Sequence, residues 1–181
     1  MRKKPNLRPR LERCAELWET EPERMRGIWL REHRGHDEVH AELGCGKGRF
    51  TTETAQGAPR ILLVAVERVA DAQITAMERA VDMGLRNVRF ITRDARDAEL
   101  FFGDGELGRI YINFCDPWPG ARHAKRRLTA PVFLESYRRV MKPGGEIHFK
   151  TDNADLFDYS LRRFASCGFE LADVTRDLHA G

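Results

Sequence analysis

Short apolar runs alternate with longer segments of helical character from residue 38 onward, and this alternation constrains the fold more than any other feature. The runs have the length of buried strands and are Val39–Leu43, Ile61–Val66, Val88–Ile91, Ile110–Phe114 and Glu146–Lys150, with a weaker run at Phe169–Val174. The helical segments between them are Phe50–Gln56, Val69–Met83, Thr129–Met141 and Asp155–Cys167. Such alternation builds a mostly parallel sheet covered on both faces, so we predict a doubly wound α/β fold.

Two further predictions concern the ends of these elements and the residues that precede them. Gly84, Gly144-Gly145 and Gly168 come at or just after the ends of predicted helices, where we expect them to act as caps. Residues 1–37 are expected to form a basic N-terminal arm and a helical lead-in, and residues 38–181 one domain. The expected packing residues of the lead-in are Trp18, Met25, Ile28, Trp29 and Leu30.

Composition excludes several classes of protein. No apolar run approaches the roughly 20 residues that cross a bilayer, and the basic start of the chain lacks the apolar core of a secretion signal. The four cysteines (Cys14, Cys45, Cys115 and Cys167) are too widely spaced for a zinc site or a dense disulfide framework. We therefore expect a cytoplasmic protein with reduced thiols, no metal, no membrane association and no obligate protein partner.

The net charge of +3 is too small to indicate an anionic partner, but the basic residues are clustered. Residues 1–13 carry six lysines and arginines against the single acid Glu12. A second cluster, Arg122-His123-Ala124-Lys125-Arg126-Arg127, contains no acid. Each cluster is either a solvated segment or a contact for a polyanion.

The first predicted strand ends in a glycine-rich turn, in which residues 42–48 read Glu-Leu-Gly-Cys-Gly-Lys-Gly. Closely spaced glycines let a backbone turn sharply and approach a ligand. Arg49 stands where the dinucleotide-binding fingerprint requires its last glycine, which makes a dehydrogenase the least favoured enzyme class. The pattern, with Glu42 and Gly44, resembles the first motif of class I S-adenosylmethionine-dependent methyltransferases.

Acidic residues follow the next two predicted strands. Glu67 ends the second strand, about 20 residues past the glycine turn, where a carboxylate can accept hydrogen bonds from both hydroxyls of a ribose. Asp94 follows the third strand and could accept from the amino group of an adenine. Either acid alone would be read as a helix cap or a surface charge, but their placement at successive strand ends predicts a nucleoside site.

The segment after the fourth strand is the most specific in the chain. Asp116-Pro117-Trp118-Pro119 combines an acceptor, a flat aromatic face and two rigid prolines, and the basic cluster follows within 12 residues. An acid, an aromatic ring and a basic cluster at the active end of the sheet suit a nucleotide within a polyanion. The sequence therefore predicts a nucleic acid as the macromolecular substrate.

These motifs, with Phe149-Lys150-Thr151-Asp152-Asn153, resemble the bacterial tRNA (guanine-N7)-methyltransferase family over about residues 38–176. The resemblance implies that S-adenosylmethionine donates a methyl group to N7 of a guanine in the tRNA variable loop. It implies a cofactor and reaction site formed by Glu42, Gly44, Glu67, Asp94 and Asp116, with Asp116 as the catalytic residue. It further implies RNA contacts from Arg122, His123, Lys125, Arg126 and Arg127, and a substrate contact from Asp152.

The sequence departs from the family pattern at two points. Gly120 stands where the family usually has a lysine, four residues after the Asp-Pro-Trp aspartate, so Arg122 or Lys125 would have to replace that contact. The family also continues beyond the Asp177-Leu178-His179 segment into a Thr-x-x-Glu motif and a closing strand. We therefore expect the last, antiparallel strand of the fold to be missing from this chain.

Two alternative functions stay open at this point. One is a methyltransferase acting on N6 of adenine or another exocyclic amine, because Asp116-Pro117-Trp118 resembles the Asp-Pro-Pro-Tyr/Trp loop of such enzymes. At the position of the second proline of that loop, however, this chain has Trp118. The other is an RNA-binding relative that kept the fold and lost turnover, which the departure at Gly120 would suit.

Overall fold

The computed structural model describes residues 7–177 and confirms the doubly wound α/β fold. Its strands are β1 (Trp18–Glu19), β2 (Glu38–Leu43), β3 (Ile61–Val66), β4 (Val88–Ile91), β5 (Leu107–Asn113) and β6 (Met141–Lys150). Its helices are α1 (Leu7–Arg13), α2 (Trp29–Glu32), α3 (Arg49–Gly57), α4 (Ala70–Asp82), α5 (Ala98–Phe101), α6 (Pro131–Val140) and α7 (Ala154–Ser166). Short 3₁₀ helices lie at Ala15–Leu17, Pro22–Met25, Ala95–Asp97 and Ala121–Arg126.

Over the described residues the sheet is parallel throughout, in the order β1-β4-β3-β2-β5-β6. The chain enters the middle of the sheet at β2, builds outward through β3 and β4, and then returns to add β5 and β6 on the other side. The order therefore reverses between β2 and β5, and α/β sheets bind ligands at the carboxyl ends of the strands at this reversal point.

The core lies on both faces of the sheet, which explains why β3 is apolar throughout. Leu62, Val64 and Val66 belong to a buried cluster with the aromatic residues of α5 and α6. Leu63 and Ala65 point to the opposite face and belong to a second cluster, which includes residues of α4. The alternation of β3 side chains between two cores is what a strand covered on both sides requires.

The lead-in differs in part from its prediction. Trp18 and Glu19 pair in register with Phe90 and Ile91 of β4, so this segment adds a short edge strand that the sequence analysis missed. Trp29 is fully buried, as predicted, and donates from Nε1 to the Phe101 carbonyl at 2.9 Å. Leu30, predicted to pack, is on the exposed side of α2.

Two other predictions about local structure are wrong. The run Phe169–Val174 forms no strand in the described structure, because Asp173 has φ +51°, outside the extended region, and Val174 is half exposed. Gly144-Gly145 does not cap a helix, because α6 ends at Val140 and β6 begins at the next residue. Gly144 instead lies inside β6, near the irregularity in its register with β5.

Candidate active site

A cleft of about 530 Å³ opens at the carboxyl ends of β2, β3, β4 and β5. The loops after these strands and the following basic segment supply its polar and aromatic lining: Gly44, Gly46, Glu67, Arg68, Asp94, Arg96, Phe114, Asp116, Trp118 and Arg126. The structure therefore brings together four of the five residues predicted for the cofactor and reaction site. The fifth, Glu42, is not on the cleft wall.

The glycine turn forms one wall of this cleft with backbone alone. Gly44 and Gly46 have φ of +85° and +54°, and a Cβ placed on either would meet no atom within 4 Å. Because both residues line the cleft, the space that side chains would take is left for a ligand. The turn is tied to the sheet by the Gly44 amide, which donates to the Val66 carbonyl at 2.8 Å.

Glu67 is held rigidly at the end of β3. Its Oε2 accepts from the Gly46 amide at 3.0 Å, and its Oε1 accepts from the Val69 amide at 2.9 Å. Each carboxylate oxygen has a further lone pair, so both can still accept a hydrogen bond from a ligand in the cleft. This is the arrangement that two neighbouring hydroxyls of a ribose require.

Asp94 is paired with a residue that the sequence analysis did not single out. Its Oδ1 accepts from the Arg96 amide at 3.0 Å and from Arg96 Nε at 2.9 Å, and its Oδ2 accepts from Nη2 at 2.6 Å. The hydrogen bonds from Arg96 lower the pKa of Asp94. An ionised carboxylate has about four acceptor positions, so one remains for an amino group in the cleft.

The Asp116 loop (residues 114–120) contains two residues with a strained backbone. Phe114 and Trp118 have φ of +51° and +44°, values that residues other than glycine rarely adopt. Phe114 is 60% exposed, although it is large and apolar, and both aromatic residues line the cleft. Asp116 lies between them, largely exposed, with its Oδ2 3.5 Å from Nη2 of Arg68. Strain and exposed aromatic surface concentrated in one loop are typical of a functional site.

All of the basic cluster except Arg127 lies in the 3₁₀ helix Ala121–Arg126, beside this loop. The Arg126 guanidinium lies 4.8 Å from the centre of the Trp118 ring, and Arg122 Nε lies 2.9 Å from His123 Nε2. Arg122, Lys125 and Arg126 are exposed, and His123 is half-buried. Three cations therefore face solvent next to the acidic and aromatic part of the cleft.

Comparison with known proteins bears on the family and the fold of this chain. Residues 36–180 match a family model described as "Putative methyltransferase". A tRNA (guanine-N(7)-)-methyltransferase of Geobacillus kaustophilus is 42% identical over 99% of this chain and 82% of its own length. Another protein of that name, from Listeria monocytogenes serotype 4b, is 43% identical over 97% of this chain and 82% of its own. The chain belongs to the tRNA (guanine-N7)-methyltransferase family.

A solved structure supports the fold of this family member. The antibiotic-resistance methyltransferase Kmr aligns with a TM-score of 0.56 over 80% of this chain and 84% of that protein, at 22% identity. None of the helices in the described part of the chain is long and apolar enough to span a membrane.

Not every predicted site residue lies where the family resemblance suggested. Glu42 is buried on β2, where it accepts from Thr51 Oγ1 and lies 3.5 Å from Asn113 Nδ2. Asp152 is exposed in the turn between β6 and α7 and does not line the cleft. Arg127 is the one basic residue of its cluster that is buried, unlike an exposed phosphate contact. The substrate role of Asp152 stays a prediction.

Two arginines and one aromatic residue of the cleft were missed by sequence reasoning. Arg68 and Arg96 each follow a predicted acid by one or two residues, but nothing in the sequence distinguishes them from surface arginines. The sequence pattern places Phe114 at the end of the fourth predicted strand, whereas β5 ends at Asn113 and Phe114 begins the following loop. A large aromatic residue directly before an Asp-Pro-Trp turn was the available signal.

The arginines of the N-terminal arm that the structure describes are engaged elsewhere. Arg10 donates to Glu78 of α4 through Nε at 2.6 Å and Nη2 at 2.5 Å, and Arg13 pairs with Asp82 of the same helix. Arg8 pairs with Glu12 within α1. This part of the arm is therefore attached to α4, while residues 2–4 lie outside the described residues.

Burial of Glu42 gives a testable dependence of stability on pH. Burial raises the pKa of this carboxyl, against the hydrogen bonds from Thr51 and Asn113 that lower it. Between the ordinary pKa of glutamate and the raised pKa in the folded state, the folded protein holds a proton that the unfolded chain has lost. Stability is therefore fully present below the ordinary pKa and falls as the pH rises through that window. We expect Glu42→Gln to reduce this fall in urea-unfolding measurements across a pH series. The exposed Glu53→Gln is the control, and an identical pH dependence in Glu42→Gln and wild type would contradict the assignment.

Proposed function

We propose that this protein transfers a methyl group from S-adenosylmethionine to N7 of a guanine in the tRNA variable loop, giving 7-methylguanosine. One observation supports this beyond family membership. A cleft suited to a nucleoside and the Asp116 loop, with its exposed cations beside it, form one continuous site. We further propose that the protein works in the cytoplasm, without a membrane or an obligate protein partner.

The residues on the cleft wall fit the cofactor. Gly44 and Gly46 leave space along the backbone, Glu67 has two acceptors available for ribose hydroxyls, and Asp94 has one for an adenine amino group. S-adenosylmethionine supplies an electrophilic methyl group on a positively charged sulfur. In this proposal Glu42 supports the glycine turn from the interior of the sheet instead of contacting the cofactor.

Asp116 is proposed to position the guanine. Guanine N7 carries a lone pair and no proton, so it is a nucleophile without the help of a general base. The Asp116 carboxylate can accept from guanine N1–H or from the exocyclic amine, and its negative charge stabilises the cationic ring that methylation produces. Arg68, 3.5 Å from this carboxylate, would give up its ion pair when the base enters. Asp152 is proposed as a second substrate contact.

The exposed cations of the basic cluster are proposed to bind tRNA phosphates, and the salt dependence of binding tests this. Removal of one phosphate-binding cation should reduce the slope of log affinity against log salt by about 0.7 on a single strand or about 0.9 on a duplex. We expect Lys125→Ala combined with Arg126→Ala to flatten the slope by about twice that amount. Arg139→Ala is the control, because Arg139 pairs with Glu99 on a different part of the surface. An unchanged slope in the double variant would mean that the cluster is only solvated.

Transfer of labelled methyl groups tests the function itself. The protein is incubated with radiolabelled S-adenosylmethionine and unmodified tRNA, and the product is mapped by strand cleavage specific for 7-methylguanosine. We expect label at one guanine of the variable loop. Label on an exocyclic amine would indicate the alternative enzyme class, and cofactor binding without any label would indicate an RNA-binding relative.

A further inference from the structure

Arg127 differs from the rest of the basic cluster in its surroundings. It is 9% exposed, whereas Arg122, Lys125 and Arg126 are exposed to solvent. A buried guanidinium is costly unless its N–H groups are hydrogen-bonded, so its partners indicate its role.

The partners of Arg127 are backbone carbonyls of the Asp116 loop. Its Nε donates to the Pro117 carbonyl at 3.0 Å, and its Nη2 donates to the Trp118 carbonyl at 3.2 Å. These two carbonyls directly follow Asp116, and one belongs to a residue with a strained φ of +44°. Such a conformation persists only where surrounding contacts hold it.

The same guanidinium also contacts a ring of α7. Its Cζ lies 4.3 Å from the centre of the Tyr159 ring, and Tyr159 Oη lies 3.5 Å from the Ala124 carbonyl. The neighbouring residue Ser160 is hydrogen-bonded to Thr129 at 2.7 Å, and both are buried. Arg127 therefore connects the loop to a helix that is itself anchored in the core.

We propose that Arg127 is a positioning residue that holds the Asp116 loop in its reactive conformation and does not bind tRNA phosphate. The expected effect of Arg127 on catalysis rests on the proposed function. Its role in holding the loop rests only on the contacts described above. Arginine suits this position because its planar group donates to two carbonyls while it stacks on a ring. A lysine has one charged atom and no plane, so it can replace only part of the contact.

The test compares Arg127→Gln and Arg127→Lys with Lys125→Gln. A displacement of about 1 Å in a positioned group can cost about 10²-fold in rate, so we expect a loss of that order in kcat at saturating tRNA for Arg127→Gln. For Arg127→Lys we expect a smaller loss of about 10-fold. The salt slope of tRNA binding should stay at the wild-type value in both. Lys125→Gln should instead weaken tRNA binding and reduce the slope by about 0.7 to 0.9. Rates are divided by the active fraction, taken from the stoichiometry of S-adenosylhomocysteine binding.

A second measurement does not depend on activity. Hydrogen exchange in peptides that span residues 112–121 should accelerate in Arg127→Gln and remain unchanged in Lys125→Gln. Slow exchange combined with a reduced salt slope would overturn the proposal and make Arg127 a phosphate contact. Accelerated exchange in a protein that does not methylate guanine would instead retain the structural role of Arg127 and reject the proposed function.

A variant that retains Arg127 tests the same contact in case the Arg127 variants do not fold. Tyr159→Leu removes the ring beside the guanidinium and leaves Arg127 in place, with Tyr159→Phe as its control because the ring is retained. We expect faster exchange of the loop and a lower kcat in Tyr159→Leu relative to Tyr159→Phe, at an unchanged salt slope. Equal exchange and equal kcat in the two Tyr159 variants would contradict the proposal even if no Arg127 variant folded.

Discussion

Replacement of Asp116 by asparagine is expected to lower the rate of methyl transfer by about 10² to 10³-fold, the range found when one preorganised electrostatic contact to a reacting group is removed. The amide has nearly the same shape as the carboxylate, so it preserves the loop. It lacks the negative charge, and one of its two polar atoms becomes a donor that would face the N1–H or amino group of guanine. Single-turnover rates at saturating tRNA and cofactor measure this effect.

The fold of the Asp116→Asn variant should be unaffected, because Asp116 is largely exposed and its ion pair with Arg68 is at the surface. Thermal unfolding and S-adenosylhomocysteine binding provide that control. Arg68→Gln is the matched variant, since it removes the same ion pair and leaves the carboxylate in place. A wild-type rate for Asp116→Asn would exclude Asp116 as the catalytic residue, and an equal reduction in both variants would assign the effect to the ion pair.

Gly48→Ala is expected to have the largest effect on stability, a loss of about 2–5 kcal/mol in the free energy of unfolding. A Cβ at residue 48 would overlap the Cβ of Ala76 on α4 and lie 2.8 Å from its Cα, and the φ of +73° is itself unfavourable for alanine. The neighbouring atom is helix backbone, so it cannot rotate away. The close approach of α3 to α4 thus depends on this glycine.

Two other glycines provide the controls for this prediction. Gly57→Ala, at the end of the same helix α3, meets no atom within 4 Å and has an ordinary φ, so its stability should match or slightly exceed wild type. Gly44→Ala places its Cβ in the open cleft, so it should weaken cofactor binding. The positive φ of Gly44 should also lower the free energy of unfolding, but no atom within 4 Å adds a clash. Urea unfolding measures the free energy of unfolding of the three variants, which we expect to be lowest for Gly48→Ala. A Gly48→Ala protein as stable as Gly57→Ala would show that the contact between residue 48 and Ala76 does not limit packing.

The sequence was sufficient to predict the parallel sheet and to group most of the predicted site residues that the structure places around one cleft. Each interior strand contains a short run of mostly apolar residues, and β3 is apolar throughout because helices cover both of its faces. The carboxyl ends of such strands meet at one edge, which is why Gly44, Glu67, Asp94 and Asp116 could be grouped from the sequence alone.

The direction in which a charged side chain turns could not be predicted, because it depends on contacts between distant segments. Arg126 and Arg127 are adjacent and chemically identical, yet Arg126 is exposed over the half-buried ring of Trp118 and Arg127 is buried against Tyr159 of α7. The burial of Glu42 could likewise not be predicted, since its polar partners, Thr51 and Asn113, come from α3 and β5. Local pattern identifies elements, whereas the partners of polar groups are set by tertiary packing.

A tRNA carrying 7-deazaguanosine at the mapped position shows whether guanine N7 is the atom that this protein methylates. This analogue replaces N7 by C–H and retains the N1–H and the amine that Asp116 is proposed to bind. We expect no methyl transfer to this tRNA, together with competitive inhibition at a concentration near the KM of the unmodified substrate. Methyl transfer at the rate seen with guanosine would exclude N7 as the accepting atom, because the methyl group would then be transferred elsewhere on the RNA.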